Sequence, residues 1–208
     1  MTAQGRFISF EGIDGSGKST QARLTAEHLR QLGQDVILTR EPGGSDGAEE
    51  IRRLVLEGAG DRWSPETELL LFTAARRDHL ERVILPAIAA GRSVISDRFA
   101  DSTRIYQGVG RADLREKVDA LHDLMIGREP DLTFLIDMEP ERGLERALSR
   151  GGAEDRFENF GVALQSRLRQ GFLDLAVQHP SRIVVIDGDR AIDRVQADIT
   201  AHLDRLPA

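Results

Sequence analysis

The sequence predicts an α/β fold: a five-stranded parallel sheet with helices on both faces. Three observations lead there. Five short segments rich in β-branched and apolar residues (6–10, 35–39, 93–96, 132–137 and 182–186) recur along the 208-residue chain. Helical periodicity fills the intervals between them. The segments also read as continuous apolar runs rather than alternating ones, as strands covered on both faces do. Right-handed crossovers follow, and ligands are expected beyond the carboxyl ends of the strands. The length suits one domain, 1–208, with a single core. No internal repeat, low-complexity tract or linker divides it.

The first strand, Phe7-Ile8-Ser9-Phe10, runs into Gly12-Ile13-Asp14-Gly15-Ser16-Gly17-Lys18-Ser19. That stretch fits the phosphate-loop pattern of Gly, four residues and Gly-Lys-Ser. A helix over 20–32 follows, with Leu24, Leu29 and Leu32 on its apolar face. A strand, a glycine loop and a helix start gather backbone N–H groups around one point, and the helix dipole adds to their pull on an anion. In such a loop Lys18 reaches the terminal phosphates and the Ser19 hydroxyl serves Mg²⁺. The chain is therefore expected to bind a nucleoside triphosphate.

The second strand leads into Thr39-Arg40-Glu41-Pro42-Gly43-Gly44. Pro42 biases Glu41 towards extended backbone, and the glycines permit a tight turn. A guanidinium held there can pair with a phosphate, although a solvated surface turn explains the same residues. A helix over 48–57 follows. Ser64-Pro65-Glu66 then starts a long helix over 66–90, with Ser as N-cap and Pro at its first position. Within it Phe72 and Arg76 share a face, an aromatic plane beside a fork of donors, which suits a base as well as a core position suits Phe72. Leu69-Leu70-Leu71 implies burial of this helix on more than one side. The third strand ends at Asp97-Arg98-Phe99. There Asp97 fits an outer-shell Mg²⁺ ligand and Arg98 a phosphate clamp, or the two belong to a structural ion pair. Helix 114–126 and the fourth strand come next. Helix 141–149 then carries Arg142, Arg146 and Arg150 as one stripe continuing to Arg156, with Gly151-Gly152 as a hinge. This is either a solvated face or a short arginine-rich lid over about 142–157. Helix 162–178 and the fifth strand complete the pattern.

The net charge of −7 argues against non-specific attraction to nucleic acid or an anionic bilayer. Phosphate binding then requires local arginine, and two concentrations stand out: Arg76, Arg77, Arg98 and Arg104, and the 142–156 stripe. With no cysteine, disulfide and thiolate chemistry are out of reach. The five histidines lack metal-ligand spacing and read as structural. No segment reads as a membrane span or signal peptide, so the default address is the cytoplasm. A regulatory GTPase would need an Asn-Lys-x-Asp motif, and the one asparagine, Asn159, precedes Phe160.

Taken together, these motifs resemble the bacterial thymidylate kinases over almost the whole length. Thr-Arg-Glu-Pro-Gly-Gly (39–44), Leu-Leu-Leu-Phe-Thr-Ala-Ala-Arg (69–76), Asp-Arg-Phe (97–99) and Tyr106-Gln107-Gly108 occur in that family's order and spacing. The resemblance implies a P-loop kinase that transfers phosphate from ATP to dTMP with Mg²⁺, and a homodimer with 69–72 as a contact. It implies a triphosphate site from Gly12 through Thr20, joined by Arg146, Arg150, Arg156, Asp187 and Arg190. It implies a dTMP site in which Phe72 stacks on thymine and Arg76 bonds its edge. Thr103 and Gln107 would touch the base, and Tyr106 would lie under the sugar. Arg40, with Glu41 and Pro42, and Arg98 would hold the phosphate, and Asp14 would orient it or its metal. Some members carry an arginine after the residue matching Asp14. Here that place is Gly15, which shifts the expected catalytic charge to Lys18, Arg98 and lid arginines, Arg150 above all.

Overall fold

The computed structural model describes residues 5–58, 62–111, 113–150 and 161–205. Five parallel strands, β1 (Phe7–Glu11), β2 (Val36–Arg40), β3 (Ser93–Asp97), β4 (Leu132–Asp137) and β5 (Ile183–Asp187), form one sheet in the order β2-β3-β1-β4-β5. The central strand β1 thus separates strands laid down to either side, and the loop after it opens at the point where the strand order reverses. Residues alternate between the faces. Ile8 and Phe10 join Ile95, Phe134 and Ile136 under α1 (Lys18–Gln31) and α9 (Ile192–Leu203), which contribute Ala22, Ala26, Leu29, Val195, Ile199 and Leu203. Phe7 and Val94 face the other way, against Leu80, Ile84, Phe99 and Ala100. On that same side Leu135 and Ile183 meet Leu168, Phe172 and Leu175 of α8 (Gly161–Gln178). Continuous burial holds for β1 but not for β2 and β5, where Leu38 and Val185 are exposed because these are the edge strands.

The expected apolar face of α1 is corrected at one end. Leu32 is 59% exposed, since the helix stops at Gln31 and turns through Gly33 at φ 81°. After α2 (Asp46–Leu56), the long helix expected over 66–90 starts as expected. The Ser64 hydroxyl accepts from the Thr67 N–H at 3.2 Å, and Pro65 is the first residue of α3 (Pro65–His79). A π-helical turn, Leu80–Ile84, links it to α4 (Leu85–Ala89), with the Leu85 N–H bonded to the Leu80 carbonyl. Pro86 explains the widening: it offers no N–H and its ring would clash with the preceding turn of a regular helix. In the 69–72 run, Leu69 packs on Leu114 and Val118, Phe72 lines a cleft and Leu70 is exposed. Helix α5 (Ala100–Ile105), its π-helical extension Tyr106–Arg111 and α9 lie outside the expected helices. The rest are α6 (Arg115–Met125) and α7 (Pro140–Arg150). No helix among the described residues is long and apolar enough to cross a membrane.

Candidate active site

The register of the sheet gathers the site. Phe10 and Arg40 both pair with Asp97, so the loops after β1, β2 and β3 leave from one edge. The loop after β1 turns on Gly12, Gly15 and Gly17, all at positive φ, and Lys18 opens α1 with no side chain capping the helix start. Its first N–H groups are therefore available to an anion. Lys18 Nζ donates to the Ile13 carbonyl at 3.1 Å and lies 3.8 Å from Asp14. Burial and the Arg98 charge push the Lys18 ammonium down to about 8, against the pull of Asp14, Asp97 and Glu11.

Arg98 is the centre of a polar cluster beside the loop. Its backbone sits at φ 71°, a left-handed conformation that L side chains rarely adopt. Nη2 donates to Asp14 at 2.5 Å, Nη1 donates to Ser102 Oγ at 2.8 Å, and the guanidinium carbon lies 5.0 Å from the Tyr106 ring centroid. The Tyr106 hydroxyl donates to the second Asp14 oxygen at 2.9 Å. Burial opposes the charge on Asp14, but Arg98 and Lys18 overcome it and hold the carboxyl below its ordinary range. Burial, with Asp14 close by, raises the Tyr106 phenol far above its usual value, so it remains a donor.

Nine of the expected acceptor-side residues come together. Asp14, Glu41, Pro42, Phe72, Arg76, Arg98, Thr103, Tyr106 and Gln107 line one cleft of about 740 Å³. Phe72 is half-buried in its wall, not in the core. Arg76 is buried, with Nε donating to Glu41 at 2.7 Å and Nη2 to Thr103 Oγ1 at 2.9 Å. Gln107 donates to the buried Glu68 at 3.0 Å. Arg40 does not line the cleft; it is exposed and bonds Glu49 at 3.1 Å.

A second cleft, about 820 Å³, adjoins the loop and is lined by Gly15, Ser16, Gly17, Thr20, Arg146 and Arg190 among others. Asp187 accepts from the Asp189 N–H beside it at 3.0 Å and pairs with Arg190. Arg150 is the last residue of α7. Its side chain, Arg156 and the rest of the expected lid, 151–157, lie outside the described residues. The expected arginine concentrations are corrected in three places. Arg77 turns outward to Glu81, Arg104 is buried among Asp101, Asp119 and Glu129, and Arg142 pairs with Asp189. The phosphate loop and α7 touch backbone to backbone: a β-carbon on Gly15 would sit 1.9 Å from the Gly143 carbonyl oxygen.

The donor set fits Mg²⁺ held mainly by phosphate oxygens and water. Asp97 Oδ1 is buried at the end of β3 with no hydrogen-bond partner, as suits a carboxylate that accepts from metal-bound water, and Ser19 is exposed on the first turn of α1. No group of three metal-ligating side chains occurs among the described residues.

Several residues around the cleft escaped the sequence reading. Arg52, Leu56, Phe99 and Ser102 line it. Glu11 supports it from below, accepting from the Phe99 N–H at 2.7 Å and from Ser102 Oγ at 2.6 Å. Its signal was available: an acid ending an apolar strand just before the loop. Burial, then repulsion from Asp101, raises the Glu11 carboxyl to about 7.

A parallel sheet, a phosphate loop at its switch point and two adjoining clefts define a P-loop nucleotide-binding protein with room for two ligands. The thymidylate kinase family model matches residues 10–199. The chain belongs to the thymidylate kinase family. It is 70% identical over 203 residues to the thymidylate kinase of Dinoroseobacter shibae, covering 98% of each chain. To that of Ruegeria pomeroyi it is 68% identical over 209 residues, covering 99% of each. The crystal structure of thymidylate kinase from Ehrlichia chaffeensis superposes with a TM-score of 0.78 at 37% identity, over 96% of this chain and 98% of that one.

Proposed function

We propose that the protein transfers the γ-phosphoryl group of ATP to dTMP, giving dTDP and ADP. The observation that carries this reading is the convergence of Phe72, Arg76, Arg98, Thr103, Tyr106 and Gln107 on one cleft, with Asp14 bridging it to the phosphate loop. In this reading Phe72 stacks on thymine, and Arg76, Thr103 and Gln107 read its edge. Arg98 holds the acceptor phosphate, and Tyr106 lies against the sugar. Glu41 and Pro42 shape the phosphate end, with Arg40 turning inward from Glu49 when ligand is present.

The acceptor oxygen is already largely ionised at neutral pH, so no side chain has to remove a proton. The work is alignment of two polyanions and screening of their repulsion. Lys18 and the N–H groups of Gly12 to Thr20 hold the donor phosphates, and Arg146, Arg150 and Arg156 meet the transferring group from the lid. Arg190 and Asp187 belong to the adenine side. Asp14 keeps Arg98 and Tyr106 in place while the phosphates approach. Ser19, and Asp97 through water, would hold Mg²⁺ bound with ATP, which would supply charge neutralisation at the phosphate oxygens. The enzyme acts in the cytoplasm as a homodimer, with exposed Leu70 at the contact.

A coupled ADP-release assay with Mg-ATP and dTMP, dUMP, UMP or dCMP tests the reading. Turnover of dTMP should exceed that of the others. Equal or lower turnover of dTMP would overturn the acceptor assignment.

A further inference from the structure

Arg76 does not hold itself in place. Its Nε is committed to Glu41 Oε2 at 2.7 Å, and Nη2 donates to Thr103 Oγ1 at 2.9 Å and to the Phe99 carbonyl at 3.2 Å. Glu41 is buried, and its other oxygen is also taken: His79 Nδ1 donates to Oε1 at 2.9 Å. His79 has no exposed surface, and its Nε2 shares a 2.8 Å bond with Thr39 Oγ1. The glycine turn closes over the same ring, for a β-carbon on Gly44 would lie 2.4 Å from His79 Nε2. Three positions of the Thr-Arg-Glu-Pro-Gly-Gly segment are thus built around one histidine that lines no part of the cleft.

We infer that His79 is a positioning residue for recognition of the acceptor base, fixing Arg76 through Glu41 so that Arg76 presents its remaining donor edge to the nucleotide. The physical reason is the cost of the alternative. Without the His79 donor, one oxygen of a buried carboxylate is left unsatisfied, and Glu41 turns to recover a partner. The Arg76 fork, bonded to that carboxylate, turns with it. The inference rests on the proposed acceptor cleft and extends it to a residue that reaches Arg76 only through Glu41.

Two substitutions separate the two ring nitrogens. His79→Asn keeps an amide donor near Nδ1, whereas His79→Gln keeps a polar group near Nε2 and leaves Glu41 unserved. A hydrogen bond to a charged group contributes enough that His79→Gln should raise the acceptor KM about 10- to 100-fold and shrink the kcat/KM ratio between dTMP and dCMP. His79→Asn should stay within about threefold of the unmodified protein on both counts, and the KM for ATP should stay level in each. Equal effects of the two substitutions on the acceptor KM, or an ATP KM that rises in step, would show a purely structural histidine and overturn the inference. If neither variant folds, Thr39→Val decides. It removes only the Nε2 bond and should raise the acceptor KM about threefold with ATP unaffected; an unchanged acceptor KM counts against the relay. The acceptor used is whichever nucleotide the unmodified protein prefers, so loss of the dTMP assignment and loss of the relay read out separately.

Discussion

Glu11→Gln should remove a fall in stability that the unmodified protein shows as pH rises. The carboxyl ordinarily titrates at 4.5 and in the fold at about 7, because it is buried and faces Asp101, with Arg98 only partly offsetting the cost. At about 1.4 kcal/mol per pH unit of separation, keeping Glu11 ionised in the fold costs about 3 kcal/mol. As pH rises, the unfolded chain releases this proton first. Between pH 4.5 and 7 the folded protein therefore binds more protons than the unfolded one, so stability falls across that window and levels off above it. A glutamine at position 11 carries no such penalty, and its amide can still accept from Phe99 and donate to Ser102. Urea and thermal unfolding of both proteins at pH 5, 6, 7 and 8, at constant ionic strength, measure the difference. From pH 5 to pH 8 the variant should gain about 2.5 kcal/mol on the unmodified protein, roughly 5–10 °C in Tm for a chain of this size. Parallel stability curves would refute the reasoning, because they would mean that Glu11 titrates alike in the folded and unfolded states.

Three further outcomes follow from the site. Gly15→Ala should cost about 1–3 kcal/mol of stability and exceed Gly33→Ala. Both glycines have positive φ, but nothing lies within 4 Å of a β-carbon at Gly33. Equal Tm losses would remove the Gly143 contact as the cause. With Lys18 titrating near 8, ATP binding at pH 8 should take up about half a proton as the phosphates restore its charge. Calorimetry in buffers of different ionisation enthalpy reads that uptake, and proton release would contradict it. Arg150→Ala should cut kcat by about 10³–10⁵ with little change in dTMP Kd; a Kd that rises as steeply as kcat falls argues against a lid role.

The sheet was legible because strands covered on both faces are mostly apolar and β-branched, and in β1, β3 and β4 the buried polar positions are only the small hydroxyl residues Ser9, Ser93, Ser96 and Thr133, with an acid at each strand end. The phosphate loop was legible because its turn runs through Gly12, Gly15 and Gly17 at positive φ, a conformation that favours glycine and so marks the loop in the sequence. What stayed hidden had local signals that conflict with its structure. The 100–105 segment is short and polar, and it becomes helix α5 because Ala100 and Ile105 are buried and Asp101 and Arg104 pair beneath the surface. Arginines that cluster in sequence divide in space, since whether one serves a ligand or a buried carboxylate depends on which acids the fold brings near. Arg76 and Arg104 look alike as letters, yet one reaches the cleft and the other ends among Asp101 and Glu129. His79 read as structural, and it lies behind the cleft, bonded to Glu41 and Thr39. Its partners, 38 and 40 residues away, were invisible to periodicity.

The contact between Gly15 and Gly143 changes what the absence of a loop arginine means. With the Gly143 carbonyl oxygen 1.9 Å from any β-carbon at position 15, an arginine there requires the whole of α7 to start somewhere else. The choice of loop residue and the seating of α7 are then sterically linked. Grafting a loop arginine into this chain, without resetting the start of α7, would separate the loop from the helix proposed to carry Arg146 and Arg150 towards the phosphates.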